Sequence, residues 1–320
     1  MSCPPYTKFQ KVTEVGNSLL NSELESNLKW YIDWGMLGIG GWTDVTIPTS
    51  GAWGGTFDRL RPVQDPAYTD GQVWESSRKD WVWETGTPYS GYNPIQVSGV
   101  YVDSSYKTTG EGAFSHHYDY PNGRVVFDSA ISTSSTVQAE YSYRNVQTYI
   151  ADQAPWWDEL QYDSLRVDDP SYLLSGSGSW GILANHRVQM PAIVVETVSR
   201  RRMQPYQMGN TSQIIKQDML FHVLAEDRWW RNQIIDILTL QKDSTIWLYN
   251  SNTLADSGVF PLDYRGMKAT SPLNYDDIVE TEQYRYKKAR FTDISVTEMQ
   301  SLTQRLHQGT VRVSFEVFMG

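Results

Sequence analysis

The chain has 320 residues, of which 40% are hydrophobic and 20% are charged; it is long enough for two folded domains and lacks the composition of a disordered protein. Its formal net charge of −10 argues against non-specific binding to nucleic acid. The single cysteine, Cys3, excludes an intramolecular disulfide framework and a cysteine-based zinc site.

The charge is distributed unevenly along the chain. Residues 1–190 hold 12 Lys and Arg against 22 Asp and Glu, whereas residues 191–320 hold 15 of each. The first part is therefore the acidic one, with a surface suited to repelling DNA or meeting a basic partner. The sequence has no hydrophobic stretch of the signal-peptide type and no run approaching a membrane span. We expect a soluble protein, made in a cytoplasm, with no membrane contact.

The first predicted element is a helix within Gly16–Gly35. Its apolar residues recur at every fourth position, which gives a single stripe that must face a core. The stripe consists of Leu20, Leu24, Leu28, Ile32 and Met36. Several glycines then end the helix, and residues 42–48 alternate as a strand does. We assign residues 1–48 to a helix and strand that join the core domain.

Residues 49–148 predict an inserted, β-rich antiparallel domain. Its candidate strands are residues 95–102, 113–120, 124–128 and 136–144. They have the alternation and the β-branched or aromatic content that strands favour. Asn122 and Gly123 lie between two of these runs and favour a type I′ hairpin turn, because both residues tolerate positive φ.

Three tryptophans in this domain are candidate contact residues. Trp74, Trp81 and Trp83 lie within residues 72–84, a segment with a poor core pattern that can form a hairpin with a polar tip. Two alternatives have equal weight. Either the hairpin is an arm that leaves the body and contacts a neighbouring subunit, or the tryptophans pack locally.

Residues 149–320 predict an α+β core. Its strands are expected at residues 191–198, 218–225, 245–249 and 310–319. A helix is predicted within Arg228–Gln241, directly after two acidic residues that favour a helix start. Its one-sided apolar stripe leads us to expect Trp229, Trp230 and Ile234 in the core.

No pattern for catalysis or metal binding stands out. Glu84 and residues 156–159 place carboxylates beside tryptophans, as a glycosidase would, but adjacent carboxylates on a helix point about 100° apart. His116 and His117 would face opposite sides of one strand, and we expect His222 to be a satisfied core or interface histidine. We therefore expect no enzymatic activity, no metal and no cofactor.

The densest basic run is Arg200, Arg201 and Arg202. In a chain of net charge −10, we favour contact with an acidic protein surface over contact with phosphate. A second basic segment, residues 287–290, lies in a predicted strand. If both segments line one opening, DNA passing through it would contact them.

One stretch resembles a known family. PAIVVETV, YQMGN and DMLFHVLAEDRWWRNQIIDIL follow one another from Pro191, and this order is similar to that of tailed-bacteriophage head-to-tail connection proteins, particularly tail terminator (tail completion) proteins. LLNSELESNLKWYIDW is similar to the helix that commonly begins such proteins, and VYVDSSYKTTGE and YDYPNGRVVFDSAI resemble small β modules inserted into virion proteins. The inserted domain and the long C-terminal part are additional to that pattern.

The resemblance implies a fold and a role. The fold would be a tail-terminator-like sheet packed by helices, and the role would be that of a non-enzymatic virion protein at the neck or tail, assembled in the host cytoplasm. It would form a ring of its own copies, either a hexamer or a dodecamer. The ring would contact other neck, connector or tail tube proteins, and DNA in its lumen would touch it passively. Residues 219–249 would form a compact unit of two strands and a helix. The alternative is a carbohydrate- or receptor-binding virion module whose tryptophans stack on sugars.

Overall fold

A computed structural model describes residues 20–47, 57–154, 157, 189–206, 213–270, 272–303 and 306–319. The fold is mixed α+β and consists mostly of β-sheet with few helices, as the sequence predicts at this level. No helix in these ranges is both long and apolar enough to cross a membrane.

The N-terminal helix, α1 (Leu20–Gly38), forms as its periodicity predicts. Leu24, Leu28, Ile32 and Met36 are buried in the main core cluster, because a spacing of four residues keeps them on one face. The strand that follows, β1 (Trp42–Val45), pairs with a strand of the β-rich domain and not with the core sheet. The prediction that the strand joins the core with the helix is wrong.

The β-rich part consists of short antiparallel strands. They are β2 (Arg59–Pro62), β3 (Val73–Glu75), β4 (Gly99–Val102), β5 (Ser105–Thr108), β6 (His116–Asp119), β7 (Arg124–Phe127), β8 (Val137–Gln138) and β9 (Tyr141–Arg144). Seven of them form a sheet in the order β5-β4-β8-β2-β3-β7-β6, and β9 pairs with β1. Residues from most of these strands share one apolar cluster, so the strands curl around a core of their own. We call residues 42–144 the β module.

The hairpin between β6 and β7 exists, but its turn differs from the prediction. Asp119 pairs with Arg124, so four residues form the connection. Gly123 has a φ of 62°, whereas Asn122 is not among the residues with positive φ, and a type I′ turn requires both. A side chain at Gly123 would also come within 2.4 Å of the Arg78 carbonyl oxygen.

The core sheet contains the longest strands. It consists of β10 (Gln147–Ile150), β11 (Ala192–Pro205), β12 (Gln213–Ala225), β13 (Thr245–Tyr249), β14 (Arg285–Thr303) and β15 (Leu306–Met319). Their order is β10-β11-β12-β15-β14-β13, and every pair is antiparallel except β10 with β11. Besides α1, the described residues add three helices to the sheet: α2 (Arg228–Thr239), α3 (Ser251–Asp256) and α4 (Tyr275–Glu280).

The predicted compact unit of residues 219–249 is only partly correct. Its two strands and helix, β12, α2 and β13, occur in the expected order. The strands are not neighbours, however, because β15 and β14 lie between them in the sheet. Pairing of β12 with β15 brings together segments far apart in sequence, which local patterns do not predict.

One face of the core sheet is covered by helices. Apolar residues of α1 and α2 share a cluster with inward-facing residues of β11 to β15. The Asp227 side chain caps α2 by accepting a hydrogen bond from the Trp229 N–H, as the acidic start predicts. We call this side of the sheet the helix face and the opposite side the polar face.

Candidate assembly surface

The three candidate tryptophans of the β module are buried. Trp74 and Trp81 belong to its apolar cluster, where the Trp81 ring stacks on Tyr141 at 4.4 Å between centroids. Each indole N–H is satisfied by a nearby carbonyl oxygen, at 2.9 Å for Trp74 and 3.0 Å for Trp81. Trp83 packs edge-on against Trp30 of α1 at 6.5 Å. The arm interpretation is therefore wrong, and local packing describes all three residues.

A group of buried charges lies where the β module meets α1. The Arg144 guanidinium donates to Asp80 Oδ1 at 2.8 Å and also to Glu84. Burial raises the pKa of Asp33 on α1 to about 7, with Arg144 opposing the shift and Asp80 adding to it. Burial also raises the pKa of Glu84.

This charged group is a structural joint. The cavity beside Asp33 and Glu84 measures about 60 Å³, well below the roughly 300–1,000 Å³ of ligand pockets. Glu84, a candidate carboxylate for a glycosidase, is thus committed to Arg144. The other candidates, residues 158 and 159, lie outside the described residues.

The arginine run lies on β11 near its C-terminal end. Arg201 and Arg202 are exposed, and Arg201 Nε donates to Gln217 Oε1 of β12 at 2.9 Å. The side chain of Arg200 lies outside the described part of the chain. Contact of this run with an acidic surface remains a prediction.

Along the second half of β11, one edge of the core sheet is not covered by any strand in the described ranges. The short strand β10 pairs only with Ala192–Val195, and Glu25 of α1 reaches Thr197 through a side-chain hydrogen bond. From residue 198 to residue 205, no described strand pairs with the outer side of β11. We call residues 198–205 the basic edge, because they hold three arginines and no acidic residue.

Along the second half of β14, the other edge is likewise left without a neighbour by the described residues. The short strand β13 pairs with β14 as far as Arg290, and backbone hydrogen bonds continue only to Phe291. No described strand lies outside residues 292–303, which pair with β15 on their inner side. We call residues 292–303 the acidic edge, because their charged residues are Asp293 and Glu298.

Both edges expose apolar side chains on the helix face. Met203 is 57% exposed on the basic edge, and Val296 and Met299 are 42% and 49% exposed on the acidic edge. Met203 pairs with Ile215, and Val296 pairs with Val311; both partners belong to the core cluster. Directly paired residues point to the same side of a sheet. The apolar layer of the helix face therefore extends to both edges without cover from any described residue.

The polar face has a basic row near one end. Arg202, Lys216, Glu316 and Arg290 lie opposite one another across β11, β12, β15 and β14. Lys216 and Glu316 form an ion pair at 2.6 Å. The row joins the two predicted basic segments on a single face. Whether DNA contacts it remains a prediction.

Near its other end, the polar face carries a cleft of about 470 Å³. In this cleft His222 bonds to Glu196 at 2.8 Å and to Thr310 at 3.3 Å, and its ring packs on Trp157. Burial lowers the pKa of His222, with Glu196 opposing the shift. The prediction of a satisfied histidine is confirmed. Glu298 of the acidic edge also lines this cleft.

The expectation that Trp229 and Trp230 lie in the core is wrong. They are 60% and 39% exposed and pack edge-on against each other at 5.0 Å. The buried side of α2 is formed by other residues, namely Arg231, Ile234, Ile235 and Leu238. The Asp227 cap begins the helix one residue before Trp229, which leaves both rings in the first turn and outside the stripe.

No protein-family model matches the chain, and the comparison with curated proteins finds no match.

Proposed function

We propose that this chain is a structural virion protein of a tailed bacteriophage, a ring-forming component of the neck or of the head-proximal end of the tail. Its fold is proposed to be of the tail-terminator type, with the β module inserted between α1 and the core sheet. Support comes from the sequence resemblance and from the succession of two strands and a helix in β11, β12 and α2.

The proposal rests mainly on two sheet edges of opposite charge that no described strand covers. A surface that matches a different surface on the same chain makes a heterologous contact, and repeating that contact closes a ring when the rotation permits. A monomer that works alone gains nothing from long uncovered strands, since such edges promote aggregation. Six or twelve copies are the ring orders that the resemblance implies.

The remaining partners follow from this arrangement. Other neck, connector or tail tube proteins would stack on the two ends of the ring, where the β module offers a second surface. The polar face would line the opening, and Lys216 and Arg290 of the basic row would be its contact with passing DNA. The role is assembly and involves no catalysis.

The carbohydrate- or receptor-binding alternative loses its main support. It depended on tryptophan rings stacked on sugars, and Trp74, Trp81 and Trp83 are buried within the chain. We therefore propose assembly alone.

Native mass spectrometry of the purified chain, with negative-stain imaging, tests the proposal. We expect one closed species of defined copy number with a central opening. A chain that stays monomeric across the accessible concentrations and in the presence of purified neck or tail proteins would contradict it.

A further inference from the structure

We propose that the basic edge of one copy pairs as an antiparallel strand with the acidic edge of the next copy, so that one core sheet continues into another. This inference rests on the proposed ring function and identifies the contact that builds the ring. Pairing of strand edges satisfies the outward backbone N–H and C=O groups of both chains.

The strand directions allow this pairing between copies in the same orientation. From β11 through β12 and β15 to β14, each neighbour is antiparallel, so β11 and β14 run in opposite directions. Placing β14 of one copy against β11 of an equally oriented copy therefore gives an antiparallel pair. No inversion of alternate subunits is needed, which is the condition for a head-to-tail ring.

The two edges are also complementary in their positions along the strands. β11 begins at one end of the sheet, where Ala192 pairs with Leu224 and Leu224 pairs with Gln308. β13 covers β14 at the opposite end, near Lys288 and Phe318. The uncovered half of β11 and the uncovered half of β14 thus lie at opposite ends. A copy displaced along the strands by about 20 Å, which is about six residues at roughly 3.4 Å per residue, joins them without meeting β10 or β13. In a closed ring, such a displacement corresponds to strands tilted against the ring axis.

The basic edge is the shorter of the two. It has eight residues, 198–205, but the pairing of β11 with β12 shifts register between Thr197 and Arg201, so the edge spans six residues of β12, from Asp218 to Gln213. The acidic edge has twelve residues, 292–303, and its pairing with β15 contains three irregularities that take residues out of register. The acidic edge spans nine residues of β15, from Ser314 to Leu306. The basic edge therefore fits within its length.

Side chains on both faces would match across the junction. On the helix face, Met203 would lie beside Val296, and each would cover apolar surface of the other. Arg202 and Glu298 both lie on the polar face, because Arg202 pairs with Lys216 of the basic row and Glu298 pairs with Thr310 of the cleft. Across the junction, Arg202 would approach Glu298. The summed charges are +3 for the basic edge and −2 for the acidic edge.

Charged residues and bulges also protect strand edges that proteins keep single. That purpose is served best by charges of the same sign on both edges, which repel every copy. Here the signs are opposite, and exposed apolar residues accompany them on the same strands. This combination favours recognition of a second copy over its avoidance.

Two charge-reversed variants test the pairing. In the first, Arg201→Glu and Arg202→Glu change the basic edge from +3 to −1, so both edges are negative. In the second, Asp293→Lys and Glu298→Lys change the acidic edge from −2 to +2, so both edges are positive. We expect each variant alone to assemble at least about 100-fold more weakly than the unchanged chain, because like charges meet at every junction. An equimolar mixture should assemble again, with the two variants alternating.

Sedimentation velocity and native mass spectrometry distinguish the outcomes, and circular dichroism checks that each variant is folded. Rings with equal numbers of the two variants support the pairing. If the unchanged chain forms rings and both variants alone form them equally well, the edge pairing is wrong and the proposed ring function survives. If the unchanged chain forms no ring, the proposed function and the pairing both fail.

Discussion

The β module and the core sheet use aromatic and strand-forming residues in opposite ways. The module has strands of two to four residues, curls around its own core and buries Trp74 and Trp81. The core sheet has strands of up to 19 residues, which extend past their short neighbours β10 and β13. Short end strands offer a partner little to pair with, whereas long uncovered ones offer much. The proposed assembly surface therefore lies in the core sheet, although the module is richer in tryptophan.

The difference shows what aromatic density indicates. Large rings contribute most when they are fully surrounded, and a chain can surround them by itself. A contact surface is distinguished from the core by exposed side chains and by strand edges without a neighbour, and not by residue type.

The largest expected effect is on the stability of the β module. Trp81→Ala removes a ring that is stacked on Tyr141 and leaves a cavity, which should lower the free energy of unfolding by about 3–5 kcal/mol. The matched control is Trp229→Ala on the exposed side of α2, where we expect a change within about 0.5 kcal/mol. Urea unfolding followed by circular dichroism measures both. Equal effects of the two substitutions would contradict the comparison.

The joint between the two regions should be almost as sensitive. Arg144→Met leaves Glu84 and Asp80 without their partner, so we expect a loss of about 3–5 kcal/mol in the free energy of unfolding. Arg290→Met breaks the exposed pair with Asp243 and should cost less than about 1 kcal/mol. A small effect at Arg144, measured by the same urea titration, would mean that these buried ion pairs contribute little to stability.

The joint also predicts a pH dependence. The pKa of Asp33 is about 7 in the folded protein and about 3.9 when unfolded. Between these values the unfolded chain holds fewer protons, so the stability contributed by protonated Asp33 is lost as the pH rises from about 4 to 7.

Asp33→Asn mimics the protonated carboxyl and should remove this dependence. We expect the variant to exceed the unchanged protein in stability by on the order of 4 kcal/mol at pH 8 and by only about 1.5 kcal/mol at pH 5. Urea titrations at the two pH values provide the measurement. A difference that does not vary with pH would contradict the assignment to Asp33.

The smallest expected effect concerns the exposed apolar residues of the edges. Met203→Ser should weaken assembly by about tenfold, the equivalent of about 1.4 kcal/mol, and leave the unfolding of the monomer unchanged. Leu240→Ser, at an exposed position outside both edges, is the control. Sedimentation equilibrium gives the two assembly constants. If both variants assemble alike, Met203 is not in the contact.

Local periodicity allowed part of this structure to be predicted. Leu24, Leu28 and Ile32 recur at helical spacing, and residues 310–319 alternate, so both elements were evident from the sequence. The order of the sheet was not, because the pairing of β12 with β15 and of β15 with β14 places the C-terminal hairpin inside it. The uncovered edges depend on that order, and their location therefore required the structure.

Disulfide trapping tests the central claim most directly. Met203→Cys and Val296→Cys are combined in a Cys3→Ser background, which leaves no other cysteine. Within one chain β12 and β15 separate these positions, roughly 14 Å at about 4.8 Å per strand, which is too far for a disulfide. Met203→Cys alone is the control. We predict a ladder of covalent oligomers up to the full ring under oxidation, whereas assembled chains that yield no ladder would contradict the account.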